Sequence, residues 1–173
     1  MTEKQETILQ SALELFSKEG FHATSTNKVA KHAGVSEGLI FRHFENKAGL
    51  LEAILKKAED KFKINYANIV FESDPKEKIR KTILLPFQIE KKDYEFWRLI
   101  MKLKWEMGHN SEEKLKPLIQ AVTSAFEELG NTNPKLEAEL LIQTIDGIGA
   151  SLLRDSVEDK EGLKKLILNK YGY

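Results

Sequence analysis

The chain has no cysteine, which excludes disulfides, thiolate metal sites and cysteine nucleophiles and fits a reducing compartment. It has no apolar run approaching the roughly 20 residues needed to cross a bilayer. Its first residues, Met1-Thr-Glu-Lys-Gln-Glu, are charged and lead into an amphipathic pattern, unlike a signal peptide. An excess charge of either sign is missing too, because 27 lysines and arginines balance 27 aspartates and glutamates. Overall charge therefore says nothing about nucleic acid, and charge has to be read locally. No Gly-rich phosphate loop, nucleophile elbow or spaced acid–base pair is visible, so no catalytic set is expected. Convincing strand alternation is absent as well. What these absences leave is a soluble, cytoplasmic, all-α protein that is not an enzyme and needs no cofactor.

Helical periodicity is what the sequence offers instead. Ile8, Leu9, Ala12, Leu13 and Phe16 share one face of a first helix that Gly20 ends. Thr24-Ser25-Thr26 offers caps for a short helix reaching Ala33, and Gly34-Val35-Ser36 breaks it. Ser36 is expected to cap a third helix running to about His43. From Asn46 the apolar positions Leu50, Leu51, Ile54, Leu55, Ala58 and Phe62 continue as a long helix toward Phe71. Asp74 and Pro75 restart the chain as cap and first turn, and Pro86 should kink or split that helix. Further helices are expected from Asp93 to Met107, from Ser111 (kinked or delayed by Pro117) to Leu129, from an Asn133-Pro134 cap to about Arg154, and from Asp159 to Tyr171. A turn at Gly108-His109-Asn110 separates two of them. The count is about nine helices, three short ones before a body of longer ones.

Residues 26–44 have helix-turn-helix spacing. Ala30 lies four residues before Gly34 and Ile40 six after it. A small side chain at Ala30 lets the next helix cross closely, and Gly34 supplies the left-handed turn that alanine resists. Val29, Val35, Ile40 and Phe44 are the apolar pins that hold the two helices against the first.

Gly20-Phe-His-Ala-Thr-Ser, Val29-Ala30, Ala33-Gly-Val-Ser and Gly38-Leu-Ile-Phe-Arg-His-Phe-Glu-Asn-Lys47 together resemble the N-terminal signature of TetR-type regulators. The body beyond residue 50 resembles the family only in helix count and in features such as Asp146-Gly147 within an apolar late helix. The resemblance implies an all-α homodimer with two parts. A helix-turn-helix DNA-binding domain at 1–48 would bind a palindromic operator as a repressor. A helical ligand-binding and dimerisation domain at 49–173 would release it when a small hydrophobic effector binds.

In such a motif the second helix enters the major groove and presents its N-terminal side chains to base edges. Ser36 can then donate to a phosphate, with Glu37, Gly38 and Leu39 nearest the bases. Glu37 can accept from a cytosine amino group, and Leu39 suits a thymine methyl. Ser25 and Thr26, at the start of the preceding helix, stand where hydroxyls and free N–H groups meet phosphate. Lys28 and Lys31 could flank the same strand. Phe41, Arg42, His43 and Lys47 match the family's phosphate-gripping cluster, although Phe41 replaces a common tyrosine and forfeits its hydrogen bond. Between residues 21 and 47, Lys28, Lys31, Arg42 and Lys47 stand against Glu37 and Glu45, a modest local excess of positive charge.

The central helices are rich in aromatics and methionine. Such a stripe is more often plain core, yet ligand sites between helices use the same side chains with a few polar groups. An effector pocket, if built, is expected among Phe62, Tyr66, Trp97, Met101, Trp105 and Phe126, with Lys104 and Gln143 as polar candidates. The strings Glu19-Gly-Phe-His22 and Glu106-Met-Gly-His109 look like half metal sites, but a glycine at a helix end should splay each pair. No metal is expected. Leu140, Leu141, Ile142, Ile145, Ile148, Leu152 and Leu153 exceed what one buried face needs. With Leu163, Leu166 and Ile167 they read as a dimer seam along the last two helices, or else as a fully buried central helix. The competing reading of the whole chain is a helical carrier or enzyme with a vestigial reader. Intact cap, turn and pin residues argue against it.

Overall fold

The structure, a computed structural model, describes residues 1–106 and 112–173, with their side chains except at 65, 103–106 and 112–114. Among the described residues every regular element is helical. The α-helices are α1 (Glu3–Glu19), α2 (Thr26–Ala33), α3 (Glu37–Phe44), α4 (Lys47–Val70), α5 (Pro75–Leu84), α6 (Tyr94–Glu106), α7 (Glu112–Glu128), α8 (Pro134–Leu153) and α9 (Lys160–Lys170). Two short 3₁₀ segments, Leu85–Gln88 and Lys91–Asp93, lie between α5 and α6. The expected all-α architecture, with a helix-turn-helix at the N-terminus and a longer helical part behind it, is the observed one. The expected turn at Gly108-His109-Asn110 and the helix start at Ser111 lie outside the described residues.

Helix boundaries follow local chemistry. Thr2 and Gln5 form a reciprocal capping box before α1, and Ser25 Oγ accepts from the Lys28 N–H at α2. Asp74 accepts from the N–H groups of Lys76 and Glu77, with Pro75 opening α5. Gly20 (φ 93°) and Gly34 (φ 66°, ψ 33°) end α1 and α2 in conformations that side chains resist. Pro86 does split its helix: α5 stops at Leu84 and the chain tightens into a 3₁₀ turn. Pro117, by contrast, is carried inside α7.

Two expected caps differ. Ser36 occupies the cap position of α3 but makes no side-chain cap bond. The Leu39 N–H, which its hydroxyl would have satisfied, donates instead to the Ser36 backbone carbonyl at 3.0 Å. Asn133 likewise leaves the α8 terminus alone, its amide donating to Thr132 Oγ1.

The chain divides into two compact units, Met1–Lys61 with Glu95–Leu103, and Phe62–Tyr94 with Lys104–Tyr173. The first is cored by Ile8, Ala12, Phe16, Val29, Ile40, Leu50 and Ile54, all essentially sealed from solvent. The second has a contiguous core of Ile79, Ile83, Leu118, Val122, Leu141, Ile145 and Ile167, contributed by α5, α7, α8 and α9. Each such aliphatic side chain contributes about 1.5–3 kcal/mol by leaving water. A Cβ added at Gly149 would sit 3.6 Å from Pro86 Cβ, an ordinary contact, so α8 passes beside the 3₁₀ turn without needing glycine there.

Candidate DNA-binding surface

The helix-turn-helix is pinned from beneath. Val29, Ala30 and Ile40 are buried to 2% exposure or less and Phe44 to 9%, while Val35 is half-buried. Burying Ile40 and Phe44 fixes the rotation of α3, since helix positions four apart share a face. The opposite face follows: Gly38, Phe41 and Arg42 are exposed together, with Leu39 and His43 half-buried at its edges, and Ser36 is exposed at the cap before the helix. Phe41 is 48% exposed on that face.

Several charged and polar groups assigned from sequence are held by the protein itself. Glu37, half-buried in the first turn of α3, accepts from Thr26 Oγ1 at 2.6 Å and from Asn27 Nδ2 at 3.2 Å. These two hydrogen bonds hold its carboxyl below the ordinary carboxylate range, with the Lys31 ammonium adding to them. Lys28 pairs with Glu19 at 2.6 Å. Lys47 Nζ donates to the carbonyls of Phe21 and His22 at 3.0 and 3.3 Å and lies 4.7 Å from the centre of the Phe21 ring. It thereby ties the start of α4 to the loop after α1. His43 Nδ1 lies 3.4 Å from Gln5 Nε2. Arg42, Lys31 and Ser25 remain exposed.

Sequence reasoning missed how tight the α3–α4 junction is. Glu45 takes φ 63° and ψ −47°, and the Asn46 N–H donates back to the Phe44 carbonyl at 2.7 Å, a γ-turn that is strained for a side-chain-bearing residue. Asn46 Oδ1 accepts from the Gly49 N–H at 3.0 Å. A Cβ on Gly49 would fall 1.9 Å from the Phe44 carbonyl oxygen, so only glycine fits. The string Phe44-Glu-Asn-Lys-Ala-Gly49 held the clue in its sixth position.

The residues expected around an effector are distributed between the units. Trp97 and Met101 belong to the first; Phe62, Tyr66, Phe126 and Gln143 belong to the second. Trp97 is buried edge-on to Phe96 with ring centres 5.0 Å apart. Phe62 stacks on Tyr66 at 5.4 Å, and burial pushes the Tyr66 phenol well above its ordinary value, the Asp146 carboxylate adding to the effect. Phe126 is core, 5% exposed, and Gln143 faces outward. Lys104 and Trp105 lie on α6, their side chains outside the described set. An open groove of about 520 Å³ in the second unit is lined in part by Lys76, Ile79, Phe126, Leu129, Tyr171 and Tyr173. Its two tyrosines were not foreseen. Of the two Glu-x-x-His strings, Glu19 is engaged by Lys28, and His109 lies outside the described residues. Among the described residues no cluster of three His, Asp or Glu is placed to hold a metal, and no helix is long and apolar enough to cross a membrane.

An N-terminal helix-turn-helix with its second helix turned outward, followed by a larger all-helical part, defines the class of the helix-turn-helix proteins. Residues 8–54 match the family model for bacterial regulatory proteins of the tetR family. The chain is 50% identical over 50 residues to YvkB of Bacillus subtilis, a helix-turn-helix-type transcriptional regulator, covering 29% of this chain and 26% of that one. It is 26% identical over 137 residues to the transcriptional activator FasR of Mycolicibacterium smegmatis, covering 79% of this chain and 63% of FasR. The matches thus span less than two thirds of these relatives' own length. A solved TetR-family regulator from Marinobacter aquaeolei superposes with a TM-score of 0.74 at 22% identity, over 97% of this chain and 93% of that one. A TetR-like regulator from a Rhodococcus species gives 0.77 at 16% identity, over 97% and 93%. The N-terminal part of this chain thus matches the TetR family, its whole fold is similar to solved TetR-family regulators, and the relatives named above are transcription regulators.

Proposed function

We propose that this chain is a cytoplasmic DNA-binding transcriptional regulator, a repressor that binds a near-palindromic operator as a homodimer and lets go when a small hydrophobic effector binds. The observation that carries the reading is the outward face of α3. Burial of Ile40 and Phe44 leaves Gly38, Phe41 and Arg42 exposed as one strip, with Ser36 exposed at the helix start, which is the geometry a recognition helix needs to lie in the major groove. In this reading residues 1–48 form the DNA-binding domain. Gly38 and Leu39 approach base edges, and Ser25, Ser36, Arg42 and the rim of Phe41 meet the phosphates.

Residues 49–173 then serve dimerisation and effector binding. Leu136 and Leu140 on α8 are 64% and 58% exposed, and Leu166 on α9 is 66% exposed. Leucines left this open on two consecutive helices favour a second copy as their cover. A dimer also supplies two readers for half-sites about 34–36 Å apart. The stacked Phe62 and Tyr66 in the second unit are the aromatic surface assigned to the effector.

Fluorescence anisotropy with duplexes recovered from a random pool tests the proposal. The wild type is expected to select a two-fold symmetric sequence and to bind it salt-sensitively. Arg42→Ala should weaken binding to all duplexes. Leu140→Glu with Leu166→Glu should yield a folded monomer by light scattering that no longer binds the selected duplex. A wild type that selects no sequence at low salt rules out the proposal.

A further inference from the structure

We propose that Glu37 is a specificity-determining residue: off the operator it fills the anion-binding groups at the start of α2 with its own carboxylate, and only a correct base releases it. The inference rests on the DNA-binding reading above and deepens it.

Thr26 and Asn27 are the first two residues of α2, an eight-residue helix whose N-terminal donors suit an anion. In a helix-turn-helix these groups are the ones that meet a phosphate. Here the Thr26 hydroxyl donates to one Glu37 oxygen at 2.6 Å and the Asn27 amide to the other at 3.2 Å. Both oxygens and both donors are matched, so the carboxylate acts as an internal stand-in for phosphate. Hydrogen bonding keeps it ionised, and a phosphate arriving at α2 therefore meets occupied donors and a like charge.

Glu37 is also the first residue of α3, where a side chain swung outward reaches base edges. A carboxylate there accepts from a cytosine amino group. Rotating onto that base would free Thr26 and Asn27 for the backbone in the same movement. Duplex of arbitrary sequence places a cytosine amino group at that position only by chance, and otherwise leaves the clasp closed. Base readout and phosphate binding are thus coupled through one side chain. Because binding to arbitrary duplex rests almost wholly on phosphates, the clasp weakens it more than it weakens operator binding.

The test uses the full-length protein, the duplex the wild type selects from a random pool, and a scrambled duplex of equal length. Glu37→Gln keeps the size of the side chain but removes the charge, and Glu37→Ala removes the clasp altogether. Both are expected to bind the scrambled duplex more tightly and the selected duplex less tightly. The preference between the two should fall by about tenfold or more, the loss of one good base contact. A residue that merely braces α2 against α3 would behave otherwise. Glu37→Ala would then lower thermal stability and weaken both duplexes equally, with Glu37→Gln restoring both. That pattern, or an unchanged preference in Glu37→Gln, overturns the inference while leaving the DNA-binding reading intact. A wild type with no preference between the duplexes removes both.

Discussion

Helices α1 to α3 add polar ties between named atoms to their apolar core, whereas α5, α7 and α8 rest on one continuous apolar core. In the reader, Lys47 grips two backbone carbonyls, Lys28 grips Glu19, Glu37 clasps Thr26 and Asn27, and Thr24 Oγ1 donates to the Gly20 carbonyl at 2.9 Å. In the body, buried side chains from Ile69 to Ile167 form a single cluster, with polar ties such as Glu72–Lys81 and the Asp74 cap at the α4–α5 turn. The difference follows from what each part must do. A reader with two helices only eight residues long buries only two side chains from each of them and must hold its angles to fit a groove. A body of longer helices holds itself by area, which tolerates exchange of one aliphatic residue for another.

Glycine substitution is the sharpest way to break that comparison. Gly49→Ala is expected to cost more than about 3 kcal/mol, because its Cβ would meet a backbone oxygen at 1.9 Å and the α3–α4 turn has nowhere to move. Gly162→Ala in the body looks as severe on paper, with a contact at 2.0 Å. Its obstacle, however, is the Asp159 side chain that caps α9, which can rotate away. Losing that cap costs about 1 kcal/mol, and the gain in helix propensity offsets most of it. Urea denaturation of the two variants checks the contrast. Similar midpoints would mean that the reader's backbone is no more constrained than the body's.

The next effect is smaller and has two signs. Gly34 sits at φ 66° with open space around its missing Cβ, so Gly34→Ala is expected to cost about 1 kcal/mol from backbone conformation alone. Glu45 stands at φ 63° with a side chain, so Glu45→Gly should relieve strain and stabilise by up to about 1 kcal/mol. Thermal melts of the pair should move in opposite directions. A shift of the same sign in both would show that side-chain contacts, not φ, decide these turns.

This contrast also explains what the sequence made legible. Caps, left-handed glycines and apolar pins act locally, so α1 to α3, Gly20, Gly34 and the buried Ile40 could be read from a single string. So could the Pro86 break and the bounds of α8 and α9. What could not be read are outcomes of competition between partners. Composition and spacing present Lys47 and Lys28 as cations facing DNA, but a carbonyl pair and Glu19 compete for them. Ser36 fits the composition of a cap, yet a backbone carbonyl reached its donor first. Gly49 is needed because Phe44, five residues earlier, turns its carbonyl toward it, a relation no periodicity encodes. The body's aromatics were legible as a stripe. Which of them share a unit depends on packing between distant helices: Phe62 and Tyr66 do, while Trp97 falls in the other unit.

The smallest expected effect tests whether the body keeps a polar tie of the reader's kind. Glu72, after α4, pairs with Lys81 on α5 and accepts from the N–H groups of Asp74 and Ser73. The Lys81 hydrogen bond is the main cause, and together these hold its carboxyl at about 2 against an ordinary 4.5. The folded state therefore binds this proton more weakly than the unfolded chain does. Its contribution is complete above pH 4.5, where both states are ionised, and drains away as pH falls toward about 2. Glu72→Gln should accordingly flatten the acid limb of the stability-against-pH curve over that window and leave its slope near neutrality unchanged. The pair lies at the surface, so added salt should shrink the difference between wild type and variant. An acid limb as steep in Glu72→Gln as in the wild type would mean that Pro75 and the Asp74 cap set this turn without the carboxylate, and that the body holds even its corners without help from charge.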